Sequence, residues 1–233
     1  MKLDVLAFAA HPDDLEITCG GTIIKLVEQG CKVGLCDMTR GEMGTYGTAQ
    51  TREEELQDAA RRLGVAIRVN AGLPDSGLFN VREQQEKVVA VLREHTPELV
   101  ILPGHDQRHP DHTATPRIVF DACFFAGLAK FGTGTTHRPR KIVYAHTSFA
   151  PFAPGFVVDI TAQMEKKLHA VAAYKTQFPA QGKGLASLEM LQTRMRDRAR
   201  SYGMMIEKPY GEGFYQRETM EVDDLTKLSG KSI

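Results

Sequence analysis

This sequence lacks the marks of several protein classes. It has no net charge, because 29 lysines and arginines face 29 aspartates and glutamates. A general nucleic-acid binder carries a basic excess, so that class is disfavoured. Long apolar runs are missing as well. The longest near the N-terminus, Val5 to Ala10, falls far short of a membrane span. A strand-like run starts at Leu3, leaving no room for the charged, apolar and cleavage regions of a signal peptide. The expectation is a cytoplasmic protein with no nucleic-acid or membrane partner. The four cysteines, Cys19, Cys31, Cys36 and Cys123, make no Cys-x-x-Cys pair and read as reduced, buried small hydrophobes. No Gly-x-Ser-x-Gly elbow and no Gly-x4-Gly-Lys phosphate loop is present. The run Gly132-Thr133-Gly134-Thr135 lacks the third glycine and the strand context of a dinucleotide fingerprint.

What remains is an ordinary globular composition, 42% hydrophobic and 25% charged. A chain of 233 residues buries most of its apolar surface without staples. With no internal repeat and no low-complexity linker, residues 1–233 read as one domain. The small, polar tail from Leu225 to Ile233 is expected to fray. The segment Phe178 to Ser187, rich in Gly, Lys and Gln, reads as a mobile loop.

Apolar runs suited to buried strands cover Leu3 to Ala9, Lys32 to Met38, Ala66 to Gly72, Leu99 to Leu102, Ile142 to His146 and Phe156 to Ile160. Helical patterns alternate with them. One opens at Gly20-Gly21 and stops at Gly30. A second spans Thr51 to Leu63, with Thr51 and Glu54 as a capping box and Gly64 as its stop. Others cover Val81 to His95, Thr113 to Leu128 and Thr161 to Tyr174. Strands separated by helices imply right-handed crossovers and a mainly parallel sheet. The fold class is therefore α/β, a Rossmann-like three-layer architecture. Arg194, Arg196, Arg198 and Arg200 are spread around a helix and read as a solvated or interface surface. The stretch Phe120 to Phe131 fits either the core or an interface between subunits.

In such a sheet, ligands bind beyond the carboxyl ends of the strands. Those ends carry an unusual density of titratable groups. The first strand leads into His11-Pro12-Asp13-Asp14-Leu15-Glu16 and the second into Thr39-Arg40-Gly41-Glu42-Met43-Gly44-Thr45. The third leads into Leu73-Pro74-Asp75-Ser76-Gly77 and the fourth into His105-Asp106-Gln107-Arg108-His109-Pro110-Asp111-His112. A lone His at a strand end usually caps a helix or bonds a carbonyl. Two clusters, with His11 three residues from Asp14 and His109 three from His112, favour a metal. Imidazole and carboxylate are good Zn²⁺ ligands, and a catalytic site keeps one position open.

With His109-Pro110-Asp111-His112 downstream of Ala10 to Glu16, the chain resembles the PIG-L/LmbE family of zinc-dependent deacetylases. The likeness runs nearly end to end. It includes Thr39 to Thr45, Arg52-Glu53-Glu54, Leu73-Pro74-Asp75, Val158-Asp159-Ile160, Lys167, Ala173-Tyr174, Gln177-Phe178 and Glu212-Gly213-Phe214. These softer matches point to the bacillithiol-biosynthesis branch, which acts on N-acetylglucosaminyl malate. The resemblance implies a Zn²⁺ held by His11, Asp14 and His112, with Fe²⁺ or Co²⁺ compatible with the same donors. It implies Asp13 as general base and His109 as stabiliser of the charged transition state. It further implies substrate contacts from Arg52 and Arg108, and assembly into a trimer or hexamer.

The chemistry has its own logic. Water is a poor nucleophile and an amide a poor electrophile, and a divalent ion improves both. An unligated carboxylate beside it, Asp13, can move the proton. Asp111 is placed to orient a ligating imidazole. Glu42 stands where it can meet a sugar hydroxyl or form a structural salt bridge. Glu16 can favour a helix dipole or support the site from outside. Arg40, Arg52 and Arg108 are the cations available for a malate carboxylate. The alternatives are deacetylation of another N-acetyl sugar, such as a chitooligosaccharide or a mycothiol-type precursor, and a zinc-binding protein without hydrolytic activity.

Overall fold

The computed structural model describes residues 1–105, 107–146, 153–178 and 187–227. Five parallel strands come first: β1 (Val5–Ala9), β2 (Val33–Asp37), β3 (Ile67–Asn70), β4 (Leu99–Pro103) and β5 (Lys141–Ala145). The crossover helices are α1 (Asp14–Glu28), α2 (Ala49–Leu63), α3 (Arg82–His95) and α4 (Pro110–Phe125). Beyond β5 follow β6 (Phe156–Asp159), α5 (Met164–Val171), α6 (Leu188–Met204) and β7 (Gly211–Tyr215). The sheet order is β3-β2-β1-β4-β5-β7-β6. Strand β7 runs antiparallel to both of its neighbours. The α/β class with a mainly parallel sheet holds.

Alternation along β1 divides the core into two layers. Leu6 and Phe8 join Val88, Leu92, Ile118 and Val119 of α3 and α4 on one face. Val5, Ala7 and Ala9 join Ile23, Leu63 and Ala170 of α1, α2 and α5 on the other. Every residue of β1 and β2 is buried, which is why both read as continuous apolar runs. All four cysteines are free, and three are buried. Phe124 is exposed, whereas Phe120, Phe125 and Phe131 pack against the core. No helix among the described residues is long and apolar enough to cross a membrane.

Several boundaries differ from the sequence expectation. Helix α1 starts at Asp14, six residues before Gly20, because the strand-end motif itself forms the first turn. Its helical pattern is broken at Cys19 (φ −135°, ψ 21°), so the two halves point differently. Helix α2 is capped by Thr48, whose side chain accepts from the Thr51 amide while Thr51 Oγ1 accepts from the Thr48 amide. The box therefore sits three residues earlier than Thr51 and Glu54. Helix α4 begins at Pro110, a residue pre-set for a first helical position. The sequence pattern does not predict strand β7. Its Gly211 and Gly213 lower strand propensity, yet a Cβ at Gly211 would lie 2.5 Å from Val157 Cγ1. In α6 Arg196 pairs with Glu165, and Arg198 turns inward toward the Ile17 carbonyl, so the helix is not simply solvated. The expected loop lies outside the described residues over 179–186. The tail forms a 3-10 turn at Leu225–Lys227, and residues 228–233 lie outside.

Glu212 of β7 braces the kinked helix. Its carboxylate accepts from the Gly21 amide (3.0 Å), the Thr22 amide (2.7 Å), the Thr22 hydroxyl (2.6 Å) and Lys167 Nζ (2.5 Å). A buried carboxylate is tolerated here because each oxygen is satisfied. Glu212→Ala strands these donors and is expected to cost about 3–5 kcal/mol, the range for breaking a buried pair. Urea unfolding of the variant beside the parent measures it.

Candidate metal and catalytic centre

The site is built where the chain leaves β1 and β4. After Ala10 the backbone turns sharply, and Asp13 adopts φ 95°, in the left-handed region that non-glycine residues rarely enter. That turn lets the His11 amide donate to Asp14 Oδ2 at 3.0 Å. Across the sheet, the first turn of α4 delivers His112. His11 Nδ1 lies 3.1 Å from His112 Nε2. Asp14 Oδ2 lies 3.2 Å from His112 Nε2 and 3.6 Å from His11 Nδ1. Three donors held about 2.0–2.1 Å from one tetrahedral ion would stand about 3.3–3.4 Å apart. The donor set fits a divalent ion on geometry and chemistry. His109 brings a further ring nitrogen, with His11, His109 and His112 ligand atoms all within 4.8 Å of one another. The tighter triangle is the one that includes Asp14.

The second nitrogen of His11 is also occupied. Nε2 faces Asp75 Oδ1 at 3.0 Å and Asp111 Oδ2 at 3.3 Å. Those carboxylates accept, so Nε2 carries a proton, and in the neutral ring the lone pair on Nδ1 faces Asp14 and His112. Asp111 is itself held by the Ser76 amide at 2.7 Å. Asp75 belongs to the strand-end pattern, but the sequence alone assigns it no role. Its position after β3, on the same rim, is the available signal.

Without a metal the charges are strained against one another. Burial opposes protonation of His11, but the hydrogen bond and charge of Asp14, with Asp75 and Asp111 beyond, raise its pKa to about 9. Burial likewise opposes ionisation of Asp14, yet the charge and hydrogen bonds of the two imidazoles hold its carboxyl well below the usual range. Burial, then the charges of Asp14 and Glu16, push Asp13 well upward. His109 is pushed down by desolvation and by the neighbouring imidazoles. Its Nδ1 accepts from the Asp111 amide at 3.2 Å as the cap of α4.

The remaining candidates separate. Asp13, Arg52, Asp75 and His109 line one cleft of about 260 Å³. Arg52 donates to Gln177 Oε1 and lies against Gly41 and Gly44, where a side chain would collide with its guanidinium. Glu42 bonds two backbone amides. Its Oε1 accepts from the Asp75 amide (2.9 Å) and its Oε2 from the Arg40 amide (3.1 Å), so it braces two loops. Arg108 is exposed and lines a groove with Phe79 and Arg117, next in the chain to His109 of the cleft. Glu16 does more than meet a helix dipole. It is fully buried and pairs with Arg68 Nη1 at 2.5 Å. Arg68 also binds Asp37 through Nε (2.7 Å) and Nη2 (2.8 Å), and Tyr174 donates to Glu16 at 2.9 Å. Nothing in the spacing of Glu16, Asp37 and Arg68 reveals this buried network. Only the pairing of β2 with β3 brings Arg68 beside Asp37.

The PIG-L family, described as GlcNAc-PI de-N-acetylase, matches residues 6–123. The chain belongs to that family. A relative named diacetylchitobiose deacetylase, from Thermococcus kodakarensis, is 32% identical over 225 residues, covering 90% of this chain and 81% of the relative. A Bacillus anthracis protein named probable N-acetyl-alpha-D-glucosaminyl L-malate deacetylase 2 is 29% identical, covering 75% and 81%. Among solved structures, the conserved protein TT1542 from Thermus thermophilus is 37% identical, with a TM-score of 0.87 over 95% of this chain and 98% of that one.

The His11 pKa makes a pH prediction. A folded value of about 9 against 6.5 unfolded stabilises the metal-free fold fully below pH 6.5, and the contribution fades as pH rises to about 9. A divalent ion must displace that proton, so metal affinity is expected to climb up to about tenfold per pH unit over the same interval. Unfolding of chelator-treated protein and metal titrations, each at several pH values, check both signs.

Proposed function

We propose that this protein is a metal-dependent carbohydrate N-deacetylase that hydrolyses the acetamide of an N-acetylglucosaminyl compound. The observation that carries the reading is the donor triangle of His11, Asp14 and His112, with an unligated carboxylate, Asp13, beside it. These three residues would hold the ion. Zn²⁺ suits two imidazoles and one carboxylate, and Fe²⁺ or Co²⁺ accept the same set. The bound ion supplies Lewis acidity, acidifying a water and polarising the acetyl carbonyl.

The chain's own residues then move the protons and hold the charge. Asp13 takes the proton of the attacking water and passes it to the departing amine, a role typically worth about 10²–10⁴-fold. His109, neutral with Nδ1 bonded to the Asp111 amide, carries its proton on Nε2 and donates it toward the oxyanion. One such donor is worth about 2.7–4 kcal/mol. Asp111 and Asp75 fix the His11 ring. Arg52 presents its guanidinium to the sugar or its aglycone.

The sequence motifs point to the malate conjugate of N-acetylglucosamine as substrate. The second reading is an N-acetylglucosaminide with a second sugar ring, favoured by the greater reach of the match to the diacetylchitobiose deacetylase. A metal carrier without hydrolytic activity is the contrasting class, and it would have no use for Asp13.

Asp13→Asn suits the left-handed backbone, which Asn tolerates. It is expected to keep one metal per chain and lose about 10²–10⁴-fold in kcat, while His11→Ala loses the metal. Elemental analysis with an amine-release assay tests this. Loss of metal from Asp13→Asn as complete as from His11→Ala would refute the division of roles. A panel of the malate conjugate, diacetylchitobiose and an inositol conjugate fixes the aglycone. The malate conjugate is expected to give the highest kcat/KM. Equal rates on all three would defeat that choice and leave the chemistry intact.

A further inference from the structure

We propose that Asp75 is a positioning residue that couples the wall of the substrate cleft to the imidazole of His11. The inference rests on His11 being a metal ligand, as proposed above. The side chain of Asp75 is only 5% exposed, and its two oxygens serve different partners. Oδ1 meets His11 Nε2 at 3.0 Å. Oδ2 accepts from the Met43 amide at 2.8 Å. Met43, Gly41 and Gly44 form one wall of the 260 Å³ cleft, and Asp75 lies on the same cleft. The Asp75 amide in turn donates to Glu42 at 2.9 Å, so the loop after β2 and the turn after β3 are bonded in both directions.

Asp111 does not duplicate this arrangement. Its oxygens hold His11 Nε2 and the Ser76 and Leu78 amides, with no bond to the loop carrying Met43. Both carboxylates orient the imidazole and both reach the cleft, Asp111 through Ser76 of the turn after β3, but Asp75 alone of the two ties the ring to the loop after β2 that carries Met43. A carboxylate bonded to a ligating His sets the ring orientation and the donor strength of the opposite nitrogen. A sugar pressing on the Met43 wall therefore acts on the same carboxylate that steadies the metal ligand. An amide at position 75 has one acceptor oxygen, and cannot accept from both His11 Nε2 and the Met43 amide through separate oxygens.

The test uses the whole chain loaded with Co²⁺, whose visible absorption reports ligand geometry. Asp75→Asn is expected to weaken metal binding about 10–100-fold in competition with a chelator. It should also shift the Co²⁺ bands and raise KM on the substrate turned over best. Asp111→Asn is expected to shift the bands with a smaller rise in KM than Asp75→Asn, because it leaves the Met43 wall bonded. Asp75→Glu keeps the charge and displaces both oxygens by one methylene, so it should fold and still shift the bands. A folded Asp75→Asn or Asp75→Glu with parental Co²⁺ spectrum and affinity overturns the proposal. So does a KM rise in Asp111→Asn that equals the rise in Asp75→Asn. The metal readouts need no substrate. If no N-acetyl sugar is cleaved while these shifts appear, the deacetylase reading fails and the metal-positioning half of the coupling stands. A parent chain that binds no Co²⁺ ends it.

Discussion

Everything at the site depends on β1 and β4 lying side by side. The chain builds β1, β2 and β3 outward in one direction, then crosses back to place β4 on the other flank of β1. The register pairs Val5 with Leu99, Leu6 with Val100 and Ala7 with Ile101. Helices leave these two strands toward opposite faces, α1 into one core layer and α4 into the other. Such a reversal opens a crevice at the carboxyl ends that no connecting helix covers. His11 and Asp14 enter it from one side and His112 from the other. A residue spacing of about one hundred in the chain thus becomes 3.1 Å in space.

The crevice concentrates charge that folding alone would disfavour. Asp13, Asp14, Asp75 and Asp111 gather around His11, with Glu16 buried behind them. Arg68 offsets part of this by binding both Glu16 and Asp37, and Tyr174 adds a donor. The rest is carried in the metal-free chain by a proton on His11 and by a raised Asp13. A divalent cation held by His11, Asp14 and His112 would relieve both. It would offset the carboxylates nearest to it and favour the ionised form of Asp13 that the proposed reaction needs. The same crowding of carboxylates around two imidazoles disposes the site to take up a metal.

The division between what is legible in the sequence and what is not follows sequence range. Local signals are reliable. Buried strands announce themselves as apolar runs, and His11, Asp14, His109 and His112 announce themselves by spacing within short loops. The α/β class follows from alternation, and the cleft side chains of Asp13 and Arg52 come with the motifs. Non-local pairings are hidden. Arg68 looks like a strand residue of no special kind, and only the β2–β3 register turns it toward Asp37. Proximity to the rim suggests a sugar hydroxyl or a salt bridge for Glu42, and spacing gives no hint that its two oxygens accept from the Arg40 and Asp75 amides. Strand β7 escapes because close packing against Val157 and Tyr202 demands glycines, and glycines read as loop. The start of α1 is displaced for a related reason. Its first turn carries the strand-end His-Pro-Asp-Asp motif, whose polar residues mask the helical period until Cys19.

His109 shows how this crowding shapes the chemistry. Desolvation and then the neighbouring rings of His11 and His112 disfavour a charged His109 and depress its pKa. A neutral ring must choose one nitrogen for its proton. The Asp111 amide settles the choice by donating to Nδ1, which leaves Nε2 as the donor. The cap of α4 therefore sets the tautomer of a residue that lines the cleft. In the proposed reaction a neutral donor would support a developing oxyanion without adding a positive charge beside the bound ion. The helix start, the His11 ring and the His109 tautomer are tied together through one residue, Asp111, which contacts the first two through its backbone position and side chain and the third through its amide. Burial of that residue to 1% exposure limits the access of water to its side-chain bonds.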